Sequence, residues 1–431
     1  MFSKLLNKLS DIIHILMQKE YYGFIQGHSY IEKKEIEEIQ KNNSEFVIEK
    51  YEKKFSRLIG NGEAISLASA RMCFFITMKA IGIKEGDEVI LNGSTCAVMV
   101  NSVLRIGAVP IFSDISSSSF GSCPKGIKKV LTTKTKLIVA QHSFGIPCEI
   151  DKIKKISLSK NIFLIEDCAL SVGSELMNKK IGTFANASIF STDRSKPINS
   201  ILGGLVYTED KKLFKILKKI QSDSDSLSTN KQNLIWKEFL LERKYYNPAG
   251  NKKYNLINTI SRLDCYLNKK KESPFLNEDS GLYSSKSYPY PSRLPNFIAE
   301  IGIIAIDNWE SEIKTKKNNM NKYLNFLRNK GYSHHISDAY FNKQLKIVPS
   351  RFVFSFSEGQ ELRVKINRYV DTAWTWFLQP IVDTKEPLYK FGYKRGSCPI
   401  SESIGKGMIN LPINLSEKQV DSLLNKINKF F

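Results

Sequence analysis

Two adjacent carboxylates, Glu166 and Asp167, end an apolar run that begins at Ile162. A carboxylate at the end of a strand could bind a metal ion, act as a base or pair with a cationic atom of a cofactor. Many strands also end in Asp because its side chain caps the turn that follows. The two carboxylates alone therefore leave these interpretations open.

A lysine, Lys196, follows the apolar run Ala187–Phe190 after a short polar stretch that begins at Ser191. A lysine after a buried strand is usually exposed to solvent. Here Pro197 comes directly after the lysine, and Gly203-Gly204 leads into the next apolar run. Proline and paired glycines mark tight turns, which are unusual around a lysine that merely faces solvent. The pattern makes Lys196 a candidate for chemistry.

Small residues stand where a helix is predicted to begin. Ser69 and Ala70 lie between the predicted strand Ala64–Ala68 and the helix that follows, and Arg71 comes next. Small side chains at a helix start let backbone N–H groups approach a phosphate, and the helix dipole favours its negative charge. Arg71 could add a charge-assisted contact. The alternative is an ordinary first turn with an exposed arginine.

Together these three sites match one cofactor, pyridoxal phosphate. That cofactor requires a phosphate-binding helix start, a carboxylate that keeps its pyridine nitrogen protonated, and a lysine that bonds to it covalently. Ser69 and Ala70 would supply the first, Asp167 the second and Lys196 the third. The sequence therefore predicts a pyridoxal-phosphate enzyme.

The segments that hold these residues alternate between strands and helices from Glu63 to Thr208. Strands are predicted at Ala64–Ala68, Glu88–Asn92, Val109–Ile115, Leu137–His142, Ile162–Asp167, Ala187–Ser191 and Gly204–Thr208. Helices are predicted between several of them, including Arg71–Ile81 and Thr95–Arg105. This alternation predicts an α/β fold with a mainly parallel sheet, in which ligands bind beyond the carboxyl ends of the strands.

We predict two domains, because 431 residues exceed the usual size of a single hydrophobic core. A helical extension over residues 1–43 precedes a large cofactor-binding domain over 44–295. A polar excursion rich in Lys and Asn interrupts the large domain at about 211–292. A connecting helix and a small α+β domain complete the chain over 296–431.

Within the small domain, strands are predicted at Phe352–Phe356, Trp374–Pro380 and Met408–Leu411. A final helix is predicted at Glu417–Phe431, with Ser416 as its N-terminal cap.

The formal net charge of +21 admits a nucleic-acid, membrane or polyanionic partner. The lysines are spread along the chain without a dense basic block, so we expect no nucleic-acid partner, although a nucleotide-sugar would still be attracted.

The seven cysteines form no CxxC pair. This pattern predicts a reduced, cytoplasmic protein with neither a disulfide framework nor a metal site.

Residues 1–17 show apolar side chains at helical spacing, with Lys4 and Lys8 between them. Such a helix could contact a membrane surface peripherally. We favour packing on its own protein or on a second subunit. No apolar run is long enough to span a bilayer, and no signal-peptide cleavage site follows the helix.

Collinear motifs make the chain resemble the DegT/DnrJ/StrS family of sugar aminotransferases, within fold type I of the pyridoxal-phosphate enzymes. The resemblance runs from about Ser44 to the end of the chain, through Gly86–Ile90, Gly107–Asp114, His142–Gly145, Ile165–Ala169, Gly182-Thr183, Ser188–Gly204, Cys398–Glu402 and Leu411-Pro412.

The resemblance implies a seven-stranded large domain of the aspartate-aminotransferase type. It implies a homodimer that moves an amino group from glutamate to a nucleotide-linked keto-sugar, in the synthesis of a surface polysaccharide such as lipopolysaccharide.

The resemblance also implies roles for single residues. Lys196 resembles the lysine that forms the Schiff base with the cofactor, and Asp167 resembles the partner of the pyridine nitrogen. Ser191 resembles the serine whose hydroxyl contacts the cofactor phosphate. Ser69-Ala70 resembles the small-residue phosphate loop of the family.

Four positions depart from the family pattern. Cys96 stands where many members place an aromatic ring that stacks on the cofactor, and Arg71 replaces a common threonine; we keep both among the cofactor-binding residues. Leu170 replaces a Gln or His that contacts the cofactor's phenolic oxygen. Pro291 replaces an Asn that often reaches the neighbouring subunit's phosphate. A leucine cannot supply a hydrogen bond, so we expect altered cofactor affinity or tuning.

Two other functions stay open. Some relatives are sugar dehydratases in which histidine replaces the lysine, and Lys196 argues against that reaction here. The other is a catalytically weakened member that acts as a binding or scaffolding protein in polysaccharide assembly, which Leu170 and Pro291 motivate. The joint presence of Lys196, Asp167 and Ser191 favours the enzyme.

Overall fold

A computed structural model describes residues 18–41, 44, 46–267, 273–276, 288–384 and 386–431. The amphipathic helix predicted within residues 1–17 lies outside these ranges. Among the described helices, none is both long and apolar enough to cross a membrane.

Strands and helices are numbered along the described chain. The strands are β1 Glu63–Leu67, β2 Glu88–Asn92, β3 Val109–Ser113, β4 Thr135–Gln141, β5 Phe163–Asp167, β6 Glu175–Leu176, β7 Lys179–Lys180, β8 Ala187–Ser191, β9 Gly204–Thr208, β10 Asp225–Ser226, β11 Ser292–Arg293, β12 Leu345–Lys346, β13 Phe352–Ser355 and β14 Met408–Leu411. The α-helices are α1 Lys33–Lys41, α2 Val47–Ile59, α3 Ala70–Ala80, α4 Ala97–Arg105, α5 Pro124–Val130, α6 Ile150–Lys160, α7 Lys211–Ser222, α8 Thr229–Tyr245, α9 Asn251–Leu267, α10 Asn296–Asn329, α11 Gly359–Ile366, α12 Pro399–Gly407 and α13 Glu417–Ile427.

Seven strands of the described chain form one sheet in the order β1-β9-β8-β5-β4-β2-β3. Strands β8, β5, β4, β2 and β3 run parallel, whereas β9 is antiparallel to both β8 and β1. Every residue of β8 and β9 is buried. Burial of both faces is typical of a parallel sheet covered by helices, so the predicted mainly parallel α/β sheet is confirmed.

Among its described residues, the polar excursion after Asp210 includes the three helices α7, α8 and α9. The Asp210 carboxylate accepts the N–H groups of Lys212 and Leu213 and so caps α7. The next helix, α8, buries Ile235 and Phe239 in the core that surrounds the large sheet. Trp236 of the same helix packs against this core, so apolar contacts hold α8 in place.

The C-terminal region has its own core around the antiparallel pair β13–β14, in which Phe352 pairs with Leu411. The long helix α10 contributes to both cores, with Ile298 in the first and Tyr323 in the second. Ser416 and Gln419 form a reciprocal capping box at the start of α13. The predicted cap is therefore confirmed, while the domain bounds at 43/44 and 295/296 stay predictions.

The strand predicted at Trp374–Pro380 is wrong. The structure has a short 3-10 turn at Thr372–Trp374 and irregular backbone after it. The reason lies in the hydrogen bonds: the Trp376 N–H donates to the Asn410 side chain, and the Trp374 carbonyl accepts from Arg351. Side chains thus satisfy backbone groups that a neighbouring strand would otherwise pair.

An N-terminal segment, residues 18–31, joins distant parts of the fold. The Tyr22 N–H donates to the Tyr369 carbonyl in the C-terminal region at 2.7 Å, with an isolated bridge to Val370 beside it. Asn199 donates to the Gln26 carbonyl at 2.9 Å. This segment therefore contacts both the loop that carries Lys196 and the C-terminal region.

Candidate active site

A cavity of about 340 Å³ opens where β4, β5 and β8 end. Gln141, Asp167 and Ser191 are the last residues of these strands, and all three line the cavity. The residues predicted from sequence to bind or react with the cofactor line it together: Ser69, Ala70, Arg71, Cys96, Asp167, Ser191 and Lys196. The parallel sheet brings them together because its strands end at a common edge.

Asp167 is a buried carboxylate at the end of β5, and its side chain lies in a residue that is only 7% exposed. The Ala169 N–H donates to its Oδ1 at 3.0 Å. Burial raises the pKa of Asp167, and the Ala169 N–H and the nearby Lys196 ammonium offset only part of that rise. A buried carboxylate of this kind is stabilised when a cation binds beside it, which suits a protonated pyridine nitrogen.

Its neighbour Glu166 has a structural role. Backbone N–H groups of Gly182, Phe184 and Ala185 donate to its carboxylate at 2.9, 2.7 and 3.0 Å. His142 lies 3.1 Å from the same carboxylate. Burial alone would raise the pKa of Glu166, but these hydrogen bonds and His142 outweigh it and hold the pKa below its ordinary value.

His142, Glu166 and Cys168 lie within 4.8 Å of one another, a spacing that could suit a metal ion. The His142 Nδ1 already accepts the Cys148 N–H at 3.0 Å, however, and its other ring nitrogen faces Glu166. The His142 and Glu166 atoms that would bind a metal are therefore engaged in hydrogen bonds.

Ser69 stands at the N-terminal cap of α3 with extended backbone. Its hydroxyl is buried and meets no hydrogen-bond partner among the described residues. Gly204 packs against the same loop so closely that a Cβ there would lie 2.1 Å from the Ala70 nitrogen. An unpartnered hydroxyl at a helix N-terminus, lined by small residues, fits a phosphate group.

Ser191 lies across the cavity edge from this loop, and its hydroxyl accepts the Asp193 N–H at 3.4 Å. Because a hydroxyl also carries a proton to donate, Ser191 keeps a donor for a phosphate oxygen.

Arg71 is turned toward a short segment at residues 273–276. Its guanidinium donates to the Leu276 carbonyl and to the Tyr288 hydroxyl. The buried Lys231 ammonium donates to the carbonyls of Ser273 and Phe275 at 2.6 and 2.9 Å. Two cations thus hold this segment at the cavity, and the excursion contributes directly to the site.

Three further positions depart from the family pattern: Cys96, Leu170 and Pro291. Cys96 stands at the N-cap position of α4 without a side-chain capping bond, and burial raises the pKa of its thiol to about 12. It is therefore a neutral thiol at physiological pH. Leu170 is 5% exposed and lines the cavity without a polar atom. Pro291 lies directly before β11.

Arg194 is the main site residue that sequence reasoning missed. It lies two residues before Lys196, is 5% exposed, and pairs with Glu238 and Glu242 of α8. Its guanidinium also stacks on the Phe275 ring at 4.6 Å. The available signal was the spacing of the two glutamates, which at i and i+4 share one face of a helix.

Aromatic residues form another missed part of the cavity. Trp374 and Trp376 line it, and the Lys196 Nζ lies 5.8 Å from the centroid of the Trp376 ring. Both tryptophans belong to the segment that was predicted to be a strand.

A model of the DegT/DnrJ/EryC1/StrS aminotransferase family matches residues 32–252 of the chain. The chain belongs to this family. A GDP-perosamine synthase of Escherichia coli O157:H7 is 27% identical over 387 residues, which cover 89% of this chain and 90% of that protein. The spore coat polysaccharide biosynthesis protein SpsC of Bacillus subtilis is 30% identical over 166 residues, or 38% of this chain and 43% of that protein.

Solved structures show the same fold. An aminotransferase from Psychrobacter cryohalolentis superposes with a TM-score of 0.70 at 18% identity, covering 93% of this chain and 97% of that chain. The Helicobacter pylori aminotransferase PseC also gives 0.70 at 18% identity, covering 96% of this chain and 99% of that chain.

Membership of the DegT/DnrJ/EryC1/StrS family confirms the predicted family and fold class. It also confirms the prediction of a pyridoxal-phosphate-dependent sugar aminotransferase. The residues of the cavity fit that cofactor, with Lys196 for the covalent bond, Asp167 for the pyridine nitrogen and Ser69 for the phosphate. The role of each single residue stays a prediction.

Proposed function

We propose that this family member transfers an amino group from glutamate to a keto-sugar linked to a nucleotide, in the synthesis of a surface polysaccharide. The observation that carries the proposal is that Lys196, Asp167 and the unpartnered Ser69 hydroxyl line one cavity. The relatives named GDP-perosamine synthase and spore coat polysaccharide biosynthesis protein support a sugar as the amino acceptor and a polysaccharide as the end product.

Pyridoxal phosphate supplies, when bound, an electron-accepting ring. The Lys196 amine would hold it covalently and, after release, carry a proton from the donor's Cα to the cofactor's C4′. The Asp167 carboxylate would keep a proton on the pyridine nitrogen. The Ser69 and Ser191 hydroxyls would donate to the phosphate and so fix the ring relative to Lys196.

Two measurements test this function. Borohydride reduction of the wild-type protein with added cofactor should leave a covalent adduct on the peptide that contains Lys196, and Lys196→Ala should leave none. The exposed Lys343→Ala variant is the matched control and should keep the adduct. Glutamate with a panel of nucleotide-linked keto-sugars should then give an amino-sugar product with wild type and Lys343→Ala but not with Lys196→Ala.

A scaffold in polysaccharide assembly is the alternative function. Leu170 favours it, because this side chain lines the cavity where the family resemblance often gives a Gln or His, and a leucine makes no hydrogen bond. Turnover that is equally undetectable in wild type and Lys196→Ala, together with no adduct, would favour the scaffold. A dehydratase is disfavoured by Lys196 itself.

We also propose a cytoplasmic homodimer, with residues 1–17 packed on protein rather than on a membrane. Light scattering after gel filtration should give twice the chain mass. Flotation with anionic vesicles should leave the protein in the soluble fraction, and a vesicle-bound fraction that deletion of residues 1–17 abolishes would contradict that packing.

A further inference from the structure

One wall of the cavity comes from the C-terminal region and faces Lys196. Trp374, Trp376 and Asp383 line the cavity there. The Lys196 Nζ lies over the Trp376 ring, 5.8 Å from its centroid. A substrate that reaches the Lys196 amine therefore lies beside an indole face.

This wall is held at both ends. The backbone N–H of Trp376 donates to the Asn410 Oδ1 at 2.8 Å, and the buried Arg351 guanidinium donates to the same oxygen at 3.3 Å. Farther along, the Val382 N–H donates to the Thr95 carbonyl at 2.8 Å, and its carbonyl accepts the Ala97 N–H at 2.9 Å. The backbone that carries the indole is thus fixed, which lowers the entropic cost of packing a ligand on it.

The chemistry of the wall suits a sugar ring. An indole offers a flat, electron-rich face to the C–H groups of a pyranose. The Trp376 Nε1–H is buried and meets no acceptor among the described residues, so it has a donor to offer. Asp383 is exposed at the cavity and can accept hydrogen bonds from hydroxyl groups.

The same wall suits an anion poorly. Asp383 on this wall and Asp193 on the loop that carries Lys196 both line the cavity and are exposed, so two exposed carboxylates face a ligand there. Like charges repel, and a diphosphate or the carboxylates of glutamate gain nothing there. The wall therefore distinguishes a polyhydroxylated ring from the charged parts of either substrate.

We propose that Trp376 binds the acceptor sugar by stacking on the sugar ring, and that the Asp383 carboxylate accepts hydrogen bonds from the sugar hydroxyl groups. This inference rests on the proposed function and names the part of the cavity that recognises the sugar. Trp376 then acts chiefly in the acceptor half of the reaction, in which the sugar ring is bound.

Calorimetry with three pairs of probes tests the stacking: GDP-mannose and GDP, UDP-N-acetylglucosamine and UDP, dTDP-glucose and dTDP. Wild type should bind at least one nucleotide-sugar more tightly than its diphosphate. Trp376→Leu should weaken that nucleotide-sugar about three- to tenfold and leave the diphosphate unchanged, with Trp376→Phe between the two. Trp236→Leu, in a tryptophan outside this cavity, should bind like wild type.

Asp383→Ala should weaken the nucleotide-sugar about three- to tenfold without weakening the diphosphate. Wild type that binds no nucleotide-sugar more tightly than its diphosphate would overturn the inference. So would an equal loss for nucleotide-sugar and diphosphate in Trp376→Leu, or no loss at all.

A single-turnover reaction with glutamate, followed by cofactor absorbance, separates this inference from the proposed function. Trp376→Leu should lose a smaller fraction of its glutamate rate than of its nucleotide-sugar affinity. A slowed glutamate reaction with unchanged sugar binding would mean that Trp376 positions Lys196 instead, and would overturn the inference. Failure of the proposed function would show in wild type itself, as neither a glutamate reaction nor a borohydride adduct.

Discussion

Arg194 and Glu242 form an ion pair that is almost fully buried, and Arg194 lies only two residues from Lys196. Glu242 also lies 3.5 Å from the buried His28 ring. Burial alone would raise the pKa of Glu242, but Arg194 and His28 outweigh it and hold that pKa below its ordinary value. The pair therefore ties the Lys196 loop to α8 and to the N-terminal segment.

Glu242→Gln should destabilise the protein by about 3 kcal/mol, because removal of one partner leaves a buried charge without full compensation. Urea unfolding of the cofactor-free protein measures this loss. The matched control is Glu175→Gln, which breaks the more exposed Glu175–Lys346 pair and should cost about 1 kcal/mol or less. Equal losses in the two variants would contradict a special role for the buried pair.

Asp167→Asn should stabilise the cofactor-free protein at pH 7. Burial raises the folded pKa of Asp167 above its unfolded value, so the ionised carboxylate costs stability at neutral pH. The cost should shrink as the pH falls through the folded pKa and vanish below the unfolded value of about 3.9. Thermal unfolding across this pH range measures it.

The same substitution should weaken cofactor binding about tenfold or more, since a charge-assisted hydrogen bond is lost. Asp421→Asn, at an exposed position of α13, should show neither the gain in stability nor the loss of affinity. A less stable Asp167→Asn protein with normal cofactor affinity would show that Asp167 supports the fold rather than the cofactor.

Local sequence patterns predicted the elements that have a regular pattern of buried residues. Strands β2, β8 and β9 were predicted with their observed bounds, because continuous apolar runs ended by polar or small residues specify buried strands. Lys196 and Asp167 followed from their places at strand ends. The common edge of a parallel sheet then brings such residues together, whatever the intervening sequence.

Long-range contacts account for what the sequence did not predict. The strand predicted at Trp374–Pro380 fails because Asn410 and Arg351, distant in sequence, satisfy its backbone. Arg194 appeared to be an ordinary loop residue because its partners lie on α8, more than 40 residues later. Neither set of contacts produces a repeating pattern of apolar residues in the sequence of the segment that it stabilises.

Ser69→Ala should lower cofactor affinity about tenfold without loss of stability. The buried hydroxyl meets no partner among the described residues, so its removal deletes an uncompensated polar group and breaks no hydrogen bond. Equilibrium titration with pyridoxal phosphate and urea unfolding measure the two effects. Ser157→Ala, which removes a buried hydroxyl of α6 that donates to Lys154, should leave cofactor affinity unchanged. Unchanged affinity in Ser69→Ala as well would exclude this hydroxyl from the phosphate site.

Gly204→Ala should damage both the fold and the phosphate site. The added Cβ would lie 2.1 Å from the Ala70 nitrogen and 2.2 Å from its Cα, so the backbone at the start of α3 must move away. Overpacking of this kind costs about 1–3 kcal/mol, which urea unfolding should detect. Because the N–H groups that are predicted to face the phosphate would move with that backbone, cofactor affinity should fall as well.

Gly86→Ala is the matched control for Gly204→Ala. Gly86 has a φ of +82°, and a Cβ there would meet no atom within 4 Å. Its substitution should therefore cost about 1 kcal/mol of backbone strain and leave cofactor affinity unchanged. If both glycine variants kept full affinity, the close approach of Gly204 to Ala70 would serve packing alone, and the phosphate would have to bind elsewhere in the cavity.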